Sequence, residues 1–221
     1  MNLSMKVPSS LAEFDDARIT EDLGILASRG VQREYRKNTM LIHEGDDGDT
    51  LFVILSGRVK VYAVDANDRE VTYGILGRGS YFGEMSLDGG PRSASVITLE
   101  PTVCSTVSKR ALREFLVDRP EFAFHLLITV IERARQATRI ARSLALDSVY
   151  SRLIRFLGNN TVAQADGTHA LPERMTHQEM ASRIGASREM VSRILKDLET
   201  GGYLATQDHR LVILSKLPGQ W

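Results

Sequence analysis

Cysteine is nearly absent from this 221-residue chain, in which Cys104 stands alone. A single thiol excludes an internal disulfide framework, and it excludes any cysteine-rich metal or iron–sulfur centre built within one chain. Long apolar runs are missing as well: none approaches the roughly 18 residues of a membrane-spanning helix. The N-terminus has neither the basic start nor the apolar core of a secretory signal. The expected location is therefore the cytoplasm, with no membrane partner. There is also no excess charge of either sign, since Lys+Arg and Asp+Glu both total 28. The stretch Thr168 to Trp221 carries only seven basic against six acidic residues. Any attraction to nucleic acid must then come from a locally focused face. No nucleophile–base arrangement and no zinc-ligand spacing occurs, and the five histidines (43, 125, 169, 177 and 209) share no helical spacing. An enzyme is not expected, and neither is a metal.

What is present is an ordinary globular composition, 43% hydrophobic and 25% charged, enough for a large domain or two modest ones. Residues 1–30, with Leu11, Phe14, Ile19, Leu23 and Leu26, predict a helix or two. From Val31 to Ser108 the pattern turns to short β-rich runs, such as Leu51 to Leu55, Val59 to Val64, Val71 to Leu76 and Ala94 to Val107, punctuated by glycine and aspartate. Many short strands at close spacing predict a closed antiparallel barrel or jelly roll. Lys109 to Val117 reads as a helix. Pro120 opens the next, and Glu121 to Leu146 contains no glycine or proline. Within that segment Leu127, Ile131, Ala134, Thr138, Ala141 and Ala145 recur at alternating spacings of 4 and 3, a narrow seam that calls for a partner helix. The economical partner is the same helix of a second copy. Asp147 to Asn160 predicts a further helix, Asn159 to Thr168 a polar loop, and Tyr203 to Leu214 a hairpin around Gln207-Asp208.

Two constellations carry chemistry. In the first, Gly83 allows backbone N–H groups to approach an anion without a Cβ in the way. Arg92 offers a fork of donors matched to phosphate oxygens, and Ser93 adds a hydroxyl. Glu84 accepts only, which suits a sugar hydroxyl and not a phosphate. A phosphate binder beside a hydroxyl binder describes a ribose phosphate. In the second, Thr176 with Glu179 three residues later forms a capping-box pattern. Gly185 fits a tight turn, and Ser187 stands where it can cap a second helix or donate to a phosphate near that helix's N-terminus; the leading end presents Arg188 and Glu189, with Arg193 one turn on. Arginine pairs with the O6/N7 edge of guanine and glutamate accepts from cytosine N4. An ion pair between Glu189 and Arg193, at i,i+4, is the plainer reading of the same spacing. Two short helices around a glycine turn read as a helix-turn-helix.

The motifs His43-Glu44-Gly45-Asp46-Asp47-Gly48-Asp49, Leu55-Ser56-Gly57-Arg58-Val59 and Phe82-Gly83-Glu84 … Pro91-Arg92-Ser93-Ala94 resemble a cyclic-nucleotide-binding domain. With Ser187-Arg188-Glu189 … Val191 … Arg193, the chain resembles the bacterial catabolite-activator (CRP/FNR) family of transcription regulators over almost its full length. The resemblance implies an α+β architecture with a β jelly-roll sensor over residues 1–120, a dimerisation helix over 121–146 and a winged helix-turn-helix over 147–221. It implies a ligand site at Gly83, Glu84, Met85, Arg92 and Ser93, joined from the long helix by Arg133 near the ribose phosphate and by Thr138 reaching the purine across a dimer. Serine at 93 leans toward cAMP over cGMP. Ala137 stands where cAMP responders usually carry threonine, which removes one adenine contact. Cyclic di-GMP is the alternative ligand, drawing on Arg133, Arg135, Arg139 and Arg142, and a constitutive DNA binder with a ligand-free barrel is the third reading. Haem is not expected, because no histidine lies near the cassette. The resemblance further implies DNA contacts at Thr176, Gln178, Ser187, Arg188, Glu189 and Arg193, an operator with TGTGA-like palindromic halves, a homodimer, and RNA polymerase as a protein partner.

Overall fold

A computed structural model describes residues 16–165 and 167–219; the expectation of helix at Leu11 and Phe14 lies outside them. The first helix, α1 (Asp16–Ser28), precedes eight short strands: β1 (Val31–Tyr35), β2 (Met40–Ile42), β3 (Thr50–Ser56), β4 (Arg58–Val64), β5 (Glu70–Gly77), β6 (Tyr81–Phe82), β7 (Ser95–Thr98) and β8 (Thr102–Ser108). They form two four-stranded sheets, ordered β1-β8-β3-β6 and β2-β7-β4-β5. This non-sequential order, with antiparallel pairing of β8 to both β1 and β3, is the jelly roll that the turn-rich sequence predicts. Strand β3 is central, so Leu51, Phe52, Val53 and Ile54 are all buried, on both faces. Cys104 on β8 is fully buried, and burial pushes its thiol up to about 11.

Helices α2 (Lys109–Asp118), α3 (Pro120–Leu146) and α4 (Val149–Asn160) follow, then α5 (His177–Ile184) and α6 (Arg188–Thr200). The chain divides into two compact units, residues 1–60 with 75–133, and 61–74 with 134–221. The core of the first joins Ile19, Leu23 and Leu26, spaced to share one face of α1, to Leu51, Val53, Tyr81, Val107, Leu112, Phe115 and Phe122. Buried Asp22 pairs with Arg119 at 2.5 Å, tying α1 to the joint between α2 and α3.

The long helix runs 27 residues. Its predicted seam is uncovered within one chain: Leu127 is 51% and Ile131 40% exposed, and Ala134, Thr138, Ala141 and Ala145 are exposed too. An apolar stripe facing solvent on a helix this long is unstable without a cover.

In the second unit, α4 is capped by Ser148, whose hydroxyl accepts from the Ser151 N–H. Strands β9 (Val162–Ala163), β10 (His169–Ala170), β11 (Leu204–Gln207) and β12 (Arg210–Ile213) form a sheet ordered β11-β12-β10-β9. Strand β9 corrects the expectation of a plain polar loop from Asn159 to Thr168, because two-residue strands leave no alternation in a sequence. The β11–β12 hairpin turns at Asp208-His209, one residue later than expected, with φ of 48° and 61°; two left-handed residues make the tight turn that matches strand twist. Leu153, Leu157, Leu171, Met180, Ile184, Val191, Leu195 and Leu198 build the core.

Candidate functional site

Gly83 caps a short 3-10 turn, Glu84–Ser86, with φ 91° and ψ 4°. A Cβ there would stand 2.7 Å from the Thr50 carbonyl oxygen and 2.8 Å from Arg92 Nη1, so both the left-handed backbone and the close approach require glycine. The Arg92 guanidinium is drawn inward: Nη1 donates to the Gly83 carbonyl at 2.9 Å and to Ser86 Oγ at 2.8 Å. Arg92 is only 7% exposed, and among the described residues it forms no ion pair. Burial pushes its guanidinium below the ordinary value, while Asp49 and Glu84 pull it back. A buried cation satisfied only by neutral acceptors is poised for an anion.

Glu84 is 5% exposed, and neither of its carboxylate oxygens has a hydrogen-bond partner. Arg133 Nη1 closes on Oε1 as an ion pair without hydrogen-bond alignment. The same guanidinium donates through Nη2 to the Tyr81 carbonyl at 2.6 Å and lies 5.7 Å from the centre of the Tyr81 ring. Tyr81 is held in turn by its hydroxyl, which donates to Thr129 at 2.8 Å, and burial raises its pKa to about 12. The sequence-predicted residues Gly83, Glu84, Arg92 and Arg133 are thus brought together. Met85 and Ser93 are exposed at the rim. Thr138 is exposed on α3 in the second unit, its hydroxyl donating to the Ala134 carbonyl at 3.0 Å. Ser86 and Tyr81 were missed; in sequence they read as an ordinary loop serine and a strand aromatic. A surface cavity of about 320 Å³ lined by Asp49, Lys109, Arg110, Arg113 and Glu114 lies outside this constellation, and its Arg110 is occupied by Glu114 at 2.9 Å. No group of three or more metal-ligating side chains occurs among the described residues.

The second constellation sits on α5 and α6. Thr176 Oγ1 accepts from the Glu179 N–H, and the Glu179 carboxylate accepts from the Thr176 N–H at 2.7 Å, completing the capping box. Gly185 ends α5 in the left-handed conformation, φ 61°, which makes the turn sharp. Ser187 accepts from the Met190 N–H and starts α6. Val191, Leu195 and Leu198 are buried at i, i+4 and i+7, so that stripe fixes which side of α6 is left outward. Arg188, Glu189 and Arg193 are exposed on α6, as are Ser187 at its cap and Thr176 and Gln178 at the start of α5. Glu189 and Arg193 form no ion pair among the described residues, leaving both side chains available. His177, unassigned from sequence, has its Nδ1 2.8 Å from Ser192 Oγ. Changing Thr176 to Ala should cost about 1 kcal/mol of stability through loss of the cap, measured as a lower urea midpoint at unchanged slope.

Residues 32–119 match the cyclic nucleotide-binding domain, and residues 151–217 match the Crp-like helix-turn-helix domain. The cAMP-activated global transcriptional regulator CRP of Haemophilus influenzae is 30% identical over 184 residues, 81% of this chain and 82% of that protein. The CRP-like cAMP-activated global transcriptional regulator of Mycobacterium tuberculosis is 29% identical over the same shares. Among solved structures, the c-di-GMP-responsive global regulator CLP of Xanthomonas campestris superposes with a TM-score of 0.78 at 26% identity, covering 91% of this chain and 100% of that one.

Proposed function

The chain belongs to the CRP/FNR family of transcription regulators, and from that premise we propose that it is a homodimeric switch in the cytoplasm, gated by cAMP and reading a palindromic operator with TGTGA-like halves. At the coarser level it is a cyclic-nucleotide-responsive regulator that binds DNA through its helix-turn-helix. The observation that carries the sensor reading is a pair of buried, opposite charges: Arg92, held only by neutral acceptors among the described residues, and Glu84, whose carboxylate is met by Arg133 alone. A cyclic phosphate answers the first and a ribose hydroxyl the second. Such a ligand would compete with Arg133 for Glu84, and a ligand that binds one arrangement of α3 better than another shifts the population. The exposed seam of α3 supports dimerisation, which would bring Thr138 toward a partner's site. The division into a sensor (1–120), dimerisation helix (121–146) and reader (147–221) is part of the same reading, with RNA polymerase as a protein partner.

Cyclic di-GMP is the second reading. It is favoured by the similarity to CLP, described as c-di-GMP-responsive, over the whole of that chain, and by Ala137, which offers no hydroxyl to adenine. Calorimetric titration with cAMP, cGMP and cyclic di-GMP separates the readings. Saturable heat with cAMP at one site per chain is expected. Heat from cyclic di-GMP alone transfers the assignment to the second reading, and no heat from any of the three leaves a constitutive DNA binder and ends the sensor reading.

On DNA, the half-site centres should lie about 34 Å apart. Arg188→Ala or Arg193→Ala should cost about 1–3 kcal/mol on the preferred duplex and relax base choice at one position. Fluorescence anisotropy on preferred and scrambled duplexes gives that ratio, and an unchanged ratio removes the residue from base readout.

A further inference from the structure

A polar strut that the sequence motifs do not assign joins the two helices of the helix-turn-helix. His177 opens α5, and its Nδ1 lies 2.8 Å from Ser192 Oγ in the middle of α6. We propose that His177, through Ser192, is a specificity-determining positioning residue: the hydrogen bond sets the rotation of α6 about its own axis, and with it the aim of Arg188, Glu189 and Arg193. The inference rests on the reading of α6 as the base-contacting helix.

Three observations support it. The first is placement. Ser192 follows Arg188 by four residues and precedes Arg193 by one, so its half-buried side chain stands between the outward residues and the buried stripe of Val191, Leu195 and Leu198. A constraint applied there acts directly on the face that reads. The second is that the anchor is firm. The backbone entering His177 is held by the reciprocal Thr176–Glu179 capping box, with bonds of 2.7 Å and 3.2 Å, so the imidazole hangs from a fixed point. The third is the character of the packing beside it. Met180, Ala181 and Ile184 meet α6 in an apolar core, and apolar packing is non-directional, whereas a hydrogen bond weakens steeply off axis. A rotation of about 10° at the roughly 5 Å radius of a helix with side chains sweeps the side-chain ends by about 0.9 Å. That is beyond the roughly 0.5 Å within which a recognition group must be held.

The test uses the full-length chain and a duplex that the wild-type protein enriches from a random pool in the presence of cAMP. Anisotropy then compares that duplex with single-base variants at the positions read by Arg188 and Arg193, over a range of salt. Ser192→Ala and His177→Phe are expected to lower the discrimination ratio by about three- to tenfold, the range of one surface hydrogen bond. Ser192→Thr, which keeps the hydroxyl, should restore the wild-type ratio, and the slope of log K against log salt should stay unchanged. A merely structural role would lower the melting temperature and affinity without a Thr/Ala difference in discrimination. A wild-type ratio in Ser192→Ala overturns the proposal. So does equal weakening on every duplex with a slope flatter by about 1 in His177→Phe, since that marks a direct phosphate contact. Failure of the wild-type chain to enrich any sequence with cAMP, with cyclic di-GMP and without ligand overturns the base-reading assignment itself, and this inference with it.

Discussion

Arg92→Ala is expected to weaken cyclic-nucleotide binding by at least a hundredfold while leaving the ligand-free protein folded and almost as stable. Two opposing terms make the apo cost small. Removing the side chain leaves Ser86 Oγ without the Arg92 donor and the Gly83 carbonyl with only the Ser86 hydroxyl, at 3.2 Å, a loss of about 1–3 kcal/mol if water does not replace it. It also removes a buried cation that has no carboxylate partner, and burial already disfavours its charged form, so a desolvation cost disappears along with the bonds. The difference should shift the melting temperature by no more than about 5 °C in a chain of this size. Nothing offsets the loss once a phosphate is present, because the anion then sits in a cleft without its counter-charge. Truncating one partner of a buried charged pair costs about 2–5 kcal/mol, and a hundredfold is about 2.7 kcal/mol. Calorimetry and a melting curve taken with and without cAMP check both halves. Wild-type affinity in this variant would mean that the phosphate lies elsewhere.

Ile131→Glu is expected to convert the protein to a monomer and to collapse operator affinity by a factor of about 10² to 10⁴. The residue is 40% exposed in one chain and occupies the seam with Leu127 and Ala134. In a two-fold pair of parallel helices each seam residue lies near its own counterpart, so one substitution places two carboxylates against each other in an apolar interface. Burying each ion costs several kcal/mol, enough to raise the dimer dissociation constant by about three orders of magnitude or more. Two half-sites would then be bound by independent heads instead of one bivalent body, and the effective-concentration advantage is lost. Sedimentation velocity at micromolar protein reads the mass, and anisotropy reads the operator. A variant that sediments like the wild type would place the dimer contact off this seam, or show that no dimer forms.

Much of this architecture is legible in the sequence. The alternating 4-and-3 spacing from Leu127 to Ala145 identified both the long helix and the side left uncovered, because helical periodicity acts along one element. Thr176, Gly185 and Ser187 likewise mark both ends of α5 and the start of α6, since caps are local. The unread features join residues across a loop or between separate elements. The inward turn of Arg92 depends on Gly83 and Ser86 meeting it across a loop. The Arg133 clasp on Glu84 and Tyr81 links α3 to β6, and the His177–Ser192 bond crosses between two helices. No periodicity runs through such pairs. Strand β9 escaped for a different reason: at two residues its pairing to β10 is set by position, not by pattern.

The sealed position of Cys104 has a practical consequence. A thiol with no solvent contact and a pKa near 11 presents almost no thiolate at neutral pH, and the thiolate is the species that alkylating reagents attack. A new cysteine placed at exposed Arg139 or Lys196 would therefore carry a fluorophore or spin label alone, with the native residue left in place. Distances between labelled copies then become a direct record of how far the long helices and the reader heads travel when a nucleotide is added.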